Sequence, residues 1–196
     1  MRGGSAVSEQ GIKGPNGAAS RLKRPIVLVG MMGAGKTAVG TQLAKLLNVP
    51  FVDSDEELVR AAQRSVAEIF ARDGEAFFRA RELEVLARLM AGPAAVISTG
   101  GGAFLSQANR DLIARNGVSV WLKADLELLW QRVRNNSARP LLQTDDPKST
   151  LRALLNGREP IYAQAALIVE AQSGLGIEAM AQKVIAALQA QTDVIV

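Results

Sequence analysis

Lys36 and Thr37 end the stretch GMMGAGKT, which fits the spacing G-x-x-x-x-G-K-[ST] at every fixed position, between an apolar run at residues 25–29 and a helical pattern reaching about residue 47. The chemistry open to that pattern is phosphate binding. Glycines let the loop curl so that its backbone N–H groups point inward, and the positive end of the following helix lies behind them. Lys36 brings a flexible point charge to the outer phosphates, and the Thr37 hydroxyl can ligate the magnesium that travels with a nucleoside triphosphate. A nucleotide is therefore expected along Gly33, Ala34, Gly35, Lys36, Thr37 and Ala38.

Asp53 and Asp55 stand two apart behind a second apolar run, so in an extended segment their carboxyls point to the same side. Two duties are open to them. One is chemical: Asp53, nearer the strand end, joins the magnesium shell through water, and Asp55 accepts the proton of a hydroxyl that attacks the terminal phosphoryl group. The other is to cap the helix beginning near Glu56. Gly100, Gly101 and Gly102 follow a third apolar run and either offer bare backbone to a small polar ligand or make a flexible turn. Ser98, just before them, offers a hydroxyl toward the metal's water shell or is an ordinary buried serine.

The arginines leave similar alternatives. Arg79 follows Phe77 and Phe78 and lies three residues from Glu82, in reach of an intrahelical pair that either aims the guanidinium at a site or is a plain surface bridge. Arg139, in a proline-bounded stretch, fits a phosphate clamp brought in by closure, and Arg132 sits just before that stretch. Arg158, before Pro160, suits a bidentate carboxylate contact.

With no cysteine and no histidine, the chain has no thiol nucleophile, disulfide, zinc-thiolate site, imidazole base or Ser-His-Asp triad. Any base is a carboxylate or a lysine, and any metal is a hard, oxygen-bound ion. A net charge of +4 and a pI near 9.8 allow a nucleic-acid partner, but aromatics at only 4% and dispersed arginines point to small anionic ligands instead. No apolar run approaches the roughly 18 to 20 residues that span a bilayer, and the N-terminal stretch lacks a signal-peptide core. A cytoplasmic protein without membrane partner is expected.

These side chains need a frame to converge. At 48% hydrophobic, 196 residues suffice for one core, so residues 24–196 are read as a single domain behind a disordered, basic leader at 1–23. Apolar runs at 25–30, 49–53, 94–98, 118–122 and 166–170 read as strands. Helices are expected at 38–47, 55–63, 65–70, from Gly74 to about residue 90, and at 107–115, 125–134, 148–155 and 177–188. Residues 135–147, with Pro140 and Pro147, read as a loop. Strands alternating with helices predict an α/β fold in three layers, a parallel sheet covered on both faces with ligands at the carboxyl ends of its strands. The glycine loop, the aspartates and the glycine triplet then share one edge.

With these pieces in order, the chain resembles the shikimate kinases, phosphate-loop enzymes that move a phosphoryl group from ATP to the 3-hydroxyl of shikimate on the route to chorismate and the aromatic amino acids. The resemblance covers nearly everything after the leader and rests on GMMGAGKT, DSD at 53–55, FFRARE around Arg79, STGGG from Ser98, RPLL from Arg139 and REPIY from Arg158. It implies a P-loop NTPase fold related to nucleoside monophosphate kinases, with a five-stranded parallel sheet in the order 2-3-1-4-5 and a lid at about 135–147. It further implies that Arg79, Arg158 and the backbone of Gly101 and Gly102 hold shikimate, and that Asp55 holds the ring hydroxyls and acts as base. Arg139 would reach the transferring phosphates from the lid, and Arg132 would lie against adenine. ATP is then the co-substrate, Mg2+ the cofactor at Thr37 and Asp53, and the chain a monomer without nucleic-acid partner. Two departures are the leader and Ile161, where the family usually has leucine.

Overall fold

The run Ile26–Val29 is buried at every position. Because successive side chains of a strand point to opposite faces, both faces of its sheet are covered. The computed structural model describes residues 22–135, 140–192, 194 and 195. Among them, five strands form one parallel sheet: β1 (Ile26–Val29), β2 (Phe51–Asp53), β3 (Val96–Ser98), β4 (Val118–Lys123) and β5 (Leu167–Glu170), in the order β2-β3-β1-β4-β5. This is the expected order. Val27 sits at the centre, paired with Ile97 on one side and Ser119 on the other. In β5 the burial alternates, as suits an edge strand with one face to water.

Seven α-helices are described: α1 (Lys36–Leu47), α2 (Ser54–Ala62), α3 (Val66–Met90), α4 (Gln107–Asn116), α5 (Leu126–Val133), α6 (Pro147–Tyr162) and α7 (Ile177–Gln191). Gly74 interrupts α3 with φ 80° and ψ 172°, the break its position suggested. Ser65 opens α3 with a reciprocal cap, its side chain accepting from Glu68 N while the Glu68 carboxylate accepts from Ser65 N. The clearest correction concerns α6. It does not stop near residue 155 but runs through Gly157 and Pro160 to Tyr162. Pro147 fits the first turn, where its missing N–H has no helical partner anyway, and Pro160 falls in the last turn, where one lost bond ends the helix rather than breaking its middle.

The stretch expected to be a lid is only partly described. It includes a 3₁₀ turn, Pro140–Leu142, and Pro147 already belongs to α6; residues 136–139 lie outside the described residues. At the other end, Leu22 is buried and bridges Ile195 in antiparallel fashion, and Lys23 N donates to Val194 O. Two residues assigned to the leader thus belong to the folded body. Residues 1–21 lie outside the described set.

Apolar side chains form two clusters. The larger surrounds the sheet, with Ile26, Leu28, Leu43, Leu47, Ile97 and Leu122 at or near zero exposure. A small one, Leu58, Ile69, Phe78 and Val85, holds α2 to α3. No helix among the described residues is long and apolar enough to cross a membrane.

Candidate active site

Parallel strands bring their carboxyl ends to one edge, and there the expected residues meet. Gly35 stands just before α1 with φ 94°, a left-handed conformation that resists a side chain, and it supplies no side-chain cap. The first-turn N–H groups of α1, with no acidic residue among them, therefore face the hollow of the loop as an anion site. Lys36 Nζ donates to the carbonyls of Gly30 (2.8 Å) and Met31 (3.0 Å). Next to it, Thr37 Oγ1 donates to Asp53 Oδ2 at 3.4 Å.

Asp53 performs one of the two duties that its position left open, the helix cap, and keeps its second oxygen beside Thr37. Its Oδ1 accepts from Asp55 N (3.0 Å) and Glu56 N (3.5 Å), capping α2, while Oδ2 faces Thr37. A cavity of about 430 Å3 lies between Lys36, Thr37, Asp53, Asp55, Ser98 and Gly100. Among the described residues no cluster of three acidic side chains forms a closed metal cage. The pair Thr37 and Asp53 offers instead two neutral-to-anionic oxygens beside the phosphate loop. That donor set fits Mg2+, which keeps several waters and takes few protein ligands.

Arg132 reaches over the loop, its Nη1 donating to Gly33 O (3.1 Å) and Ala34 O (3.2 Å). It also lines a second, largely apolar slot of about 230 Å3 with Val39, Leu175, Ile177 and Met180. Thus Arg132 stands between a phosphate cradle and a slot suited to a flat, apolar-faced base. Residues 171–180 were not singled out in the sequence, although the rule that sites gather at strand ends applies to β5 as well. Arg139 lies outside the described residues.

A third cavity, about 280 Å3, adjoins the phosphate cradle and is lined by Asp55, Arg79, Arg158, Gly100, Gly101 and Gly102, with Met32, Phe70 and Phe78 among its apolar walls. Arg79 Nη1 pairs with both oxygens of Glu82 (3.2 and 3.0 Å), and its guanidinium lies 5.2 Å from the Phe78 ring centroid. Glu82 is only 4% exposed, so this is not a plain surface bridge. A Cβ placed on Gly102 would come within 2.9 Å of Arg79 Nη2, and one on Gly100 within 2.7 Å of Asp55 Oδ1. Gly100 and Gly102 thus let the Asp55 and Arg79 side chains lie against bare backbone.

On α6, Tyr162 is one turn beyond Arg158 and shares its face. The buried phenol donates to Gly101 O; burial raises its pKa, and the nearby Arg158 guanidinium lowers it. Asp55 is half-buried between the two cavities. Burial, then the charge of Asp53, push its carboxyl above the ordinary value, while Lys36 and Arg79 pull it down. Met32 lines both the phosphate and the acceptor cavities, whereas Met31 packs in the core at 2% exposure.

A phosphate cradle and a small cavity with two guanidinium groups thus share one carboxylate. The shikimate kinase family model matches residues 32–189 of the chain. The chain belongs to the shikimate kinase family. Shikimate kinase from Cereibacter sphaeroides is 61% identical over 176 residues, which cover 90% of this chain and 88% of that protein. Shikimate kinase from Ruegeria pomeroyi is 55% identical over 191 residues, covering 97% and 98%. Among solved structures, shikimate kinase from Acinetobacter baumannii in complex with shikimate is 40% identical, with a TM-score of 0.80 and coverage of 85% of this chain and 93% of that one. As a member of the shikimate kinase family the chain is an ATP-dependent phosphotransferase with an alcohol group as acceptor.

Sequence reasoning about this family member missed the groups behind the cavity. Asn109 had no signal, being an amide in the first turn of α4, where a polar residue is ordinary. Tyr162 had one: helix α6, had it been extended past Pro160, would have put a phenol one turn from Arg158.

Proposed function

We propose that this chain transfers the γ-phosphoryl group of ATP to the 3-hydroxyl of shikimate, giving shikimate 3-phosphate and ADP. The observation that carries the reading is the 280 Å3 cavity, in which Arg79 and Arg158 face the glycine triplet beside Asp55, next to the phosphate loop. Two planar guanidinium groups suit a carboxylate, and a lone carboxylate suits ring hydroxyls.

In this reading the loop backbone from Gly33 to Ala38 holds the phosphates, with Lys36 on the outer ones and Arg132 between phosphates and adenine. Thr37 and Asp53 would hold Mg2+, which when bound neutralises phosphate charge. Arg79, Arg158, Gly101 and Gly102 fix the acid, and Asp55 orients the hydroxyl. The hydroxyl oxygen bonds to the γ-phosphorus as the bond to the β–γ bridging oxygen breaks. Its proton passes to Asp55, and ADP carries away the electron pair. Residues 22–196 then form one kinase domain, and a lid between α5 and α6, with Arg139 as its cation, closes over the phosphates. The enzyme acts as a cytoplasmic monomer on small molecules, with no nucleic-acid or membrane partner.

The test is ADP release from the purified chain with Mg2+ and ATP. Release that depends on added shikimate, and not on gluconate or nucleoside monophosphates, is expected. Turnover stimulated by RNA and indifferent to hydroxy acids would sink the reading.

A further inference from the structure

Asn109, on α4, is fully buried, and its amide makes two hydrogen bonds, both as donor. Nδ2 reaches Glu82 Oε2 at 3.3 Å and the carbonyl of Ala103 at 2.8 Å, while Oδ1 has no partner. The two acceptors fix the orientation of the amide, since a flipped oxygen would face a carboxylate and a carbonyl. Glu82 is the carboxylate that holds Arg79, and Ala103 follows the glycine triplet directly. A buried amide with an orphaned oxygen costs more than a leucine of similar volume, so as filler it is a poor choice. Its donors have a specific pair of targets.

We propose that Asn109 is a positioning residue for the acceptor, tying the carboxylate that holds Arg79 to the turn that carries Gly101 and Gly102. Both walls of the acceptor cavity then keep one spacing, and Arg79 presents its fork in one direction. The electrostatics agree. Burial raises the Glu82 pKa, whereas Arg79 and the Asn109 amide lower it, so the amide helps Glu82 stay ionised for its arginine. Asn109 itself lines neither cavity and acts only through Glu82, which lines the acceptor cavity, and Ala103. The inference rests on shikimate as the acceptor.

The experiment is steady-state kinetics on the full chain with shikimate and ATP varied in turn. If the wild type does not phosphorylate shikimate, the functional reading falls and this inference with it. If it does, Asn109→Leu is expected to raise the KM for shikimate about tenfold, the order of one buried charge-assisted hydrogen bond, with kcat and the KM for ATP within about twofold. In a Glu82→Gln background the same change is expected to add less than about twofold, because two residues acting through one contact are not additive. A wild-type shikimate KM in Asn109→Leu, an equal rise in both KM values, or full additivity with Glu82→Gln overturns the proposal while leaving the kinase reading intact. Where leucine prevents folding, Asn109→Asp keeps the shape, replaces the donors with acceptors and takes the same test.

Discussion

The donor and acceptor halves of the site are built by opposite means. The donor half is one contiguous loop, Gly30 to Thr37, set between β1 and α1 over the main core. The acceptor half draws Asp55, Arg79, Gly100 to Gly102 and Arg158 from four separate stretches, and its α2–α3 limb rests on the four-residue cluster of Leu58, Ile69, Phe78 and Val85. The difference follows from the ligands. A phosphate takes hydrogen bonds from almost any inward-pointing N–H, so backbone and one helix end suffice. An acid with ring hydroxyls must be met by side chains in set directions, and long side chains hold a direction only when braced, as Arg79 is by Glu82.

The largest break in that division should come where the halves meet. Asp55→Asn removes the proposed proton acceptor but touches no phosphate contact, so turnover is expected to fall by about two to four orders of magnitude. Nucleotide affinity, measured by ADP titration, should stay near wild type. Near-normal turnover would take Asp55 out of the role of base and leave it a positioning group.

The cores can be separated in the same way. Ile69→Ala opens the small cluster and Leu43→Ala the large one, each at a cost of about 2–5 kcal/mol. Leu43→Ala should lower the melting temperature and speed amide exchange throughout the sheet. For Ile69→Ala the faster exchange should be confined to α2 and the first part of α3, with a higher KM for shikimate and an unchanged KM for ATP, because the small cluster is separate from the main one, which α3 joins only at its far end through Leu86 and Met90. Equal loosening of both halves by either change would mean a single cooperative unit.

A smaller effect is expected from Arg158→Lys, which keeps the charge and loses the planar fork. The KM for shikimate should rise about tenfold, the KM for ATP staying put. An unchanged shikimate KM would remove Arg158 from the acid's binding set.

The same contrast decides what could be read from the sequence. The sheet was legible because its strands are continuous apolar runs buried on both faces. The donor loop was legible because its whole function lies in adjacent residues. Asp53 could be read only as one of two alternatives, and the structure shows one oxygen capping α2 while the other faces Thr37. Helix α6 was cut short because Gly157 and Pro160 are breakers by type, whereas position in the last turn makes the proline tolerable. Asn109 and Tyr162 were hidden because their duties are bonds to Glu82, Ala103 and Gly101, partners chosen by folding rather than by spacing. Burial turned Arg79–Glu82 from a common surface spacing into a brace, and burial of one helical residue is not written in its neighbours.

The finest test concerns the proton that Asp55 holds, because its charge balance takes one contribution from each half. Burial and Asp53 raise its pKa above 3.8, and Lys36 from the donor loop and Arg79 from the acceptor wall lower it. A base works only when ionised, so kcat/KM is expected to fall as pH drops through the raised value, with an acid limb above the ordinary aspartate range. The sign for stability is opposite. Between 3.8 and the raised value the folded chain binds more protons than the unfolded one, so this group's contribution to stability falls as pH rises, and the penalty is complete at neutral pH. Asp55→Asn should therefore melt above wild type at neutral pH while losing turnover, and that advantage should shrink in acid. Asp53→Asn, which keeps the helix cap, should move the Asp55 titration down, and Arg79→Met should move it up. Carboxyl carbon NMR of Asp55 reads these shifts without relying on activity. A wild-type titration at or below 3.8 would contradict the buried carboxylate on which both halves converge.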